Sequence, residues 1–467
     1  MKTLLFGLIA TLTSIAGIWL LSASDTLARK AGQPKPPAKV GHPSFLSPHF
    51  KPIVLHDDRL FVANTPADTV DVIDPSTKKI VHRIPVGIEP VSLAVRPDGL
   101  ELWVSNHISD SVSVIDTNPE SSSHLHVTGT IQDIDQEKRA TNFDEPVGIA
   151  FANDEKAYVA LSSENKIAVI DVASRKVTNH LSIPAQDPRG LVVRHEKLYV
   201  IPFESNNKTQ LSGGSKIDGD LVTFDAHEHS IANNNILSLG HVVDIVKHPD
   251  VPDKDLFVFD TKTDELIETV ETLGTLLYGL TVDSKGTVFI AQTDARNDAN
   301  GRSGTKKHGL AELQNRPFLN QITQVAFKEN KADQPKFFDL EPLPSEKIVP
   351  SHPLATPYAI EISPNDKTLV ATAASSNKLF TVDASTGKPL GQIRVSSVPR
   401  GIALESDADG NATRAWVLNA VDNKVSLVDL SNPSKPSVNS SIPLEDPTPP
   451  PFRRGRMAFN NASASSS

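Results

Sequence analysis

Residues 294–301 read Asp-Ala-Arg-Asn-Asp-Ala-Asn-Gly, and the side-chain oxygens of Asp294, Asn297, Asp298 and Asn300 make a donor set that suits calcium. Further on, His308 and Arg316 lie in a run of Lys, His, Asn, Arg and Phe of the kind that docking surfaces and small-ligand pockets use. A self-packed loop with Leu313 and Phe318 turned inward would produce the same run. His227 and His229 form a His-x-His pair, which holds a transition metal only when a third ligand converges, and solvated loop histidines are commoner. The stretch from Glu405 to Asn411 opens like an EF-hand loop, yet Trp416 stands where that loop needs Glu, so a hairpin turn explains it better. No Gly-x-Ser-x-Gly elbow, phosphate-binding glycine loop or zinc-protease helix occurs in the 467 residues. The chain has no cysteine, which excludes thiolate chemistry, cysteine-ligated zinc and covalent haem attachment within these residues. A formal charge of -10 argues against non-specific binding to nucleic acid or to an anionic membrane, because phosphate-binding surfaces need a basic excess.

The elements that must position these candidates are strands of a repeated unit. A strand ending in Asn, a short polar turn and Val-x-Val-Ile-Asp recur: Leu60-Phe61-Val62-Ala63-Asn64 with Val70-Asp71-Val72-Ile73-Asp74, then Leu102-Trp103-Val104-Ser105-Asn106 with Val112-Ser113-Val114-Ile115-Asp116. Looser copies run from Ala157 to Asp171 and from Ala415 to Asp429. Self-similarity at about 40 to 45 residues with four short strands per unit predicts an all-β fold, a β-propeller of four-stranded antiparallel blades. Apolar–polar alternation with β-branched enrichment agrees with half-buried antiparallel strands.

A second register marks where the inner strands begin. Pro90-Val91-Ser92, Pro146-Val147-Gly148, Pro188-Arg189-Gly190, Pro357-Tyr358-Ala359 and Pro399-Arg400-Gly401 share a Pro-x-small step, and Leu277-Tyr278-Gly279 is a variant without Pro. Proline fits where no ladder N–H is needed, and a small residue lets strands converge at the axis. With a first blade near Lys51, the count is seven, at 50–86, 90–133, 146–184, 188–271, 277–343, 357–395 and 399–443. Val91, Val147, Arg189, Tyr278, Tyr358 and Arg400 should then ring the central opening. Arg189, Tyr278, Tyr358 and Arg400 are candidates to receive an anionic or planar ligand or an acidic partner. Pairing with neighbours such as Asp187, which would plug the channel, is the alternative.

Two blades swell between their second and third strands, at 204–254 and 293–320, and loops of that length are usually functional or disordered. Both fall on the face that carries the inner-strand starts. At the N-terminus, Met1-Lys2-Thr3 and the apolar run to Leu21 read as an export signal within 1–24, with an uncleaved membrane anchor as the alternative. The body is therefore expected to be periplasmic or extracellular, touching a membrane only if that segment is retained. Residues 25–49 read as a Pro-rich tether and 444–452 as a stiff Pro-rich linker.

The repeated units resemble the YVTN family of seven-bladed propellers, found in exported prokaryotic proteins, over residues 55–435. Leu161, Pro202 and Gln292 depart from that family's Asn. The tail Arg453-Arg454-Gly455-Arg456-Met457-Ala458-Phe459-Asn460 resembles the first helix of a c-type cytochrome domain of di-haem peroxidase-like kind, where Gly-x-x-x-Phe precedes a haem-attaching Cys-x-x-Cys-His. This resemblance implies that 453–467 begin such a domain, cut before its haem motif, with haem c as that domain's cofactor; a vestige or a coincidence of pattern are the alternatives. It further implies a docking module whose partner is the haem domain or a periplasmic redox protein. Propellers also host lactonases and quinoprotein-like dehydrogenases, for which Asp294, Asp298 and His308 would be the residues to test, and cell-surface scaffolds.

Overall fold

The computed structural model describes residues 47–204, 254–296, 316, 318–344 and 346–460, together with the backbone of Thr209–Ile217, Asp220–Phe224 and Asp244–Lys247. Five four-stranded antiparallel sheets span 53–85, 90–131, 146–182, 357–394 and 399–443. An eight-stranded sheet fills the interval from Gln186 to Asp339, and it is two four-strand meanders joined where Glu204 pairs with Leu276.

Successive sheets meet across apolar seams. Phe61, Val70 and Val72 pack against Leu93, Leu102 and Val104, and Tyr158, Ala160 and Ile167 pack against Leu191 and Leu198. The last seam sets Trp416, Leu418 and Leu427 against Ile53, Leu60 and Val62, so the sheets close into the ring of a β-propeller. Trp103 and Trp416 are wholly buried. Each such ring withdraws roughly 200 Å² from water, an upper bound of about 5 kcal/mol. Their indole N–H groups donate to Glu101 at 2.9 Å and to Glu405 at 2.6 Å, so burial leaves no orphan donor.

The repeated motif has a physical reading in these contacts. Asn64, Asn106 and Asn419 are buried and reach across to the middle residue of Val-x-Val: Asp71 at 3.1 Å, Ser113 at 3.0 Å and Ser426 at 3.0 Å. Where Asn gives way to Leu161, its counterpart is Ala168, and both are apolar and buried. A buried donor is kept only with its acceptor, because an unpaired one costs about 1–3 kcal/mol. The closing Asp caps the following hairpin. Asp74 accepts from Ser76 N–H at 2.8 Å and Thr77 N–H at 3.2 Å, and Asp383 from Ser385 and Thr386. The Ser76 hydroxyl, which donates to the same carboxylate at 2.6 Å, and then these N–H groups hold the Asp74 carboxyl down at a pKa of about 2.

First and last sheets each use four consecutive strands, so neither lends a strand to the other. Their seam is tied by Asn423 Nδ2, which donates to Asn64 Oδ1 at 3.0 Å and to the Glu445 carbonyl at 2.8 Å, and by Arg83, 2.8 Å from the Glu445 carboxylate.

Three expectations are corrected. Residues 47–49, assigned to the tether, are buried. The insertion after Glu204, read as a long loop, holds a three-stranded antiparallel sheet of Thr209–Ile217, Asp220–Phe224 and Asp244–Lys247. The linker 444–452 is not extended to its end: helix α1, Pro450–Phe459, begins inside it, since Pro at the first helical positions lacks only an N–H that would have no partner there. Helix α1 is held through buried Arg456, which donates to the Asp446 carboxylate and to the Val421 carbonyl. The export-signal segment 1–24 and residues 461–467 lie outside the described residues.

Candidate functional site

The inner strands begin with an irregularity that aims side chains at the axis. Register shifts occur between Pro90 and Ser92, Pro146 and Ile149, Pro188 and Gly190, Leu277 and Gly279, Pro357 and Ile360, and Pro399 and Gly401. A bulge turns its extra residue out of the ladder, and here those residues include Val91, Val147, Arg189, Tyr278, Tyr358 and Arg400. A Cβ at Gly148 or Gly279 would strike the carbonyl of Arg189 or Tyr358 in the next sheet, which is why those positions are small.

The residue before each proline is equally specialised, and the sequence reading missed it. Glu89, Glu145, Asp187, Thr356 and Val398 all have positive φ, from 49° to 61°. Each N–H is held by an Asx side chain of the preceding sheet: Asp68 (2.9 Å), Asp110 (3.2 Å), Asn165 (2.8 Å), Asn320 (3.0 Å) and Asn377 (2.8 Å). The signal was present as an Asp or Asn four residues after the strand-ending position in 64–68, 106–110, 161–165, 373–377 and 419–423.

Four of the six ligand candidates form one arc around the mouth. Arg189 lies over the Phe203 ring at 3.8 Å, Phe203 meets Tyr278 at 5.4 Å, Tyr278 meets Tyr358 at 5.3 Å, and Arg400 covers Tyr358 at 4.6 Å. Arg189 also pairs with Asp187, as the channel-plugging alternative required. Burial raises the Tyr278 phenol above its ordinary pKa. Within the arc, residues 47–50 are packed against the mouth. His49 Nε2 lies 2.8 Å from Thr65 Oγ1, whose own proton goes to the Pro90 carbonyl, so Nε2 carries the His49 proton. Burial, then the charges of Arg400 and His107, depress the His49 pKa to about 3. His107 is lowered chiefly by burial, with Glu89 opposing. Between this segment and the Tyr278, Tyr358 and Arg400 strands lies a cavity of about 20 Å³, the space of one water.

Beside the arc lies a cleft of about 380 Å³. Tyr278 walls it on the axial side, Phe318 and Ile348 contribute apolar surface, and Thr293, Thr356 and Ser375 contribute hydroxyls. Arg316 also lines it, donating to the Pro342 carbonyl and reaching Glu341 at 3.4 Å. Glu341 is nearly fully buried and also accepts from Asn320 Nδ2 at 3.0 Å and Leu354 N–H at 2.7 Å. The Arg316 charge is thus balanced inside the protein, leaving a wall of mixed apolar and hydroxyl character. Phe318 (45 % exposed), Leu343 (49 %) and Val349 (57 %) form apolar surface on the flanking segments.

Asp294 is placed in the strand Val288–Ala295, paired with Leu319, its carboxylate accepting from Thr275 Oγ1 at 3.3 Å. Asn297, Asp298, Asn300, His308, His227 and His229 lie outside the described residues. Among the described residues no group of three or more His, Cys, Asp or Glu could hold a metal ion.

The sheets and their closed ring define a β-propeller protein. Neither a family model nor a curated protein matches the chain. Among solved structures it is similar to the hydrazine synthase of Kuenenia stuttgartiensis, with 17% identity and a TM-score of 0.59, over 85% of this chain and 99% of that one. Structures of U3-55K and of the RRP9 WD40 repeats align over 75% of this chain, and 81% and 80% of theirs, at 12% and 13% identity and a TM-score of 0.47 each. At these identities the likeness to hydrazine synthase shows the fold alone.

Proposed function

We propose that this chain is an exported seven-bladed propeller of YVTN type, counting each half of the eight-stranded sheet as one blade, that serves as a non-catalytic docking module for a c-type cytochrome-like redox partner. The observation that carries this reading is the cleft beside Tyr278, a preformed recess at the base of the second insertion with Phe318, Leu343 and Val349 exposed around it. Its two charged groups, Arg316 and Glu341, bind each other and neighbouring backbone. That suits recognition by shape and apolar contact more than turnover. The tail resemblance supports a haem protein as partner, and helix α1 stands where that resemblance expects a helix. Haem c would belong to a domain continuing from the tail or to a separate redox protein, because these residues, without cysteine, do not fit covalent haem.

The test is a titration of the purified chain with a panel of purified c-type cytochromes by interferometry. The expected result is saturable binding that weakens at least tenfold in a Phe318→Ala, Leu343→Asp double variant. Absence of binding across the panel, or equal affinity of chain and variant, would contradict it.

A further inference from the structure

The five residues Ser47-Pro48-His49-Phe50-Lys51 precede the first strand, and four of them find partners of matching chemistry on the sheets around the axis. The Ser47 hydroxyl donates to the Glu89 carboxylate, and its carbonyl accepts from Arg400 Nη1 at 3.2 Å. The His49 ring donates to Thr65, and its carbonyl accepts from Tyr358 Oη at 3.2 Å. Phe50 N–H donates to the Val91 carbonyl at 3.2 Å, while the Lys51 carbonyl accepts from Leu93 N–H at 3.1 Å. The Phe50 ring is buried with Val91, Val147, Leu277 and Leu280. Lys51 Nζ ends 3.1 Å from Glu361.

This is how a protein holds a short peptide: main-chain bonds along its length, one aromatic anchor in an apolar socket, and an ion pair at its end. A Cβ at Gly190 would meet Ile201 of its own sheet at 2.5 Å and the Phe50 ring at 3.1 Å, and one at Gly401 would come within 2.6 Å of Pro52, just past the segment.

We propose that the axial mouth is a binding site for a short peptide bearing an aromatic residue followed by lysine, that the chain fills it in cis with Ser47–Lys51, and that this segment locks the ring in the absence of strand exchange. The site is distinct from the cleft, and the proposal does not depend on what docks there.

The experiment compares the full-length chain with its Phe50→Ala variant by thermal unfolding, with and without a synthetic peptide of residues 45–52. The variant should melt several degrees lower, and millimolar peptide should raise its Tm while leaving the parent, whose site is filled, unchanged. A variant that melts like the parent, or one that melts lower but ignores the peptide, would overturn the site. Should Phe50→Ala fail to fold, Tyr358→Phe removes only the hydroxyl bond to His49. Hydrogen exchange at the Phe50 and Leu93 amides should then quicken at least tenfold while amides of the outer strand Lys176–Ser182 are unmoved. Unaltered exchange at Phe50 and Leu93 would overturn the proposal equally.

Discussion

Tyr358 and Tyr278 occupy the same register position on successive sheets, yet they face different surroundings. Tyr358 is buried, donates to the His49 carbonyl and lies under Arg400, whereas Tyr278 is half-buried and walls a cleft of about 380 Å³. What separates them is the chain's own segment 47–51, which reaches Tyr358 and Arg400, while the far side of Tyr278 borders the cleft. A ring of like positions therefore does not make a ring of like sites; one arc is occupied by the chain's own segment, and apolar surface remains at the other.

Four changes would break or sharpen this contrast. The largest is Phe50→Ala, which should cost about 3–5 kcal/mol in denaturant unfolding, because a buried ring is removed from a closed socket. Acid acts on the same arc. His49 is held near pKa 3 in the folded chain against 6.5 unfolded, so the unfolded chain binds the proton first. Its contribution is full above pH 6.5 and is lost on the way down to about 3, at up to ~1.4 kcal/mol per pH unit. His107 titrates in the same direction, so unfolding midpoints should fall steeply below pH 6.5, and His49→Gln should flatten the slope. Next is Asn377→Ala, which strips the partner from the N–H of Val398, a buried β-branched residue at φ 55°. A loss of about 1–3 kcal/mol is expected, measured as a shift in denaturant midpoint. Smallest is Phe318→Ala at the cleft, which should move stability by no more than about 0.5 kcal/mol, since the ring is 45 % exposed. A large loss there would mean that the cleft wall is core and the contrast fails.

The propeller was legible because its repeat obeys two periods at once, alternation within strands and recurrence of Asn with Val-x-Val-Ile-Asp. The hydrogen bond of Asn64 to Asp71, or the shared apolar burial of Leu161 and Ala168, is the physical cause of that recurrence. The arc of Arg189, Tyr278, Tyr358 and Arg400 was legible from the Pro-x-small step. Its closure was not, because residues 47–51 precede the repeat and Pro-rich composition nearby reads as tether. Equally hidden was the cross-sheet Asx bond, whose acceptor and donor lie 21 to 36 residues apart. At the cleft the sequence pointed to Arg316 but not to Glu341, which meets it only across another long separation.

The most direct measurement is hydrogen exchange on the full chain, alone and saturated with a c-type cytochrome that binds it. The account predicts new protection in 318–325 and 341–356 around the cleft, with exchange across 47–51 and 90–95 unchanged. Protection at the axial mouth, or faster exchange of 47–51 as the partner binds, would show that the partner competes for the axis and would contradict the division between a filled mouth and an open cleft.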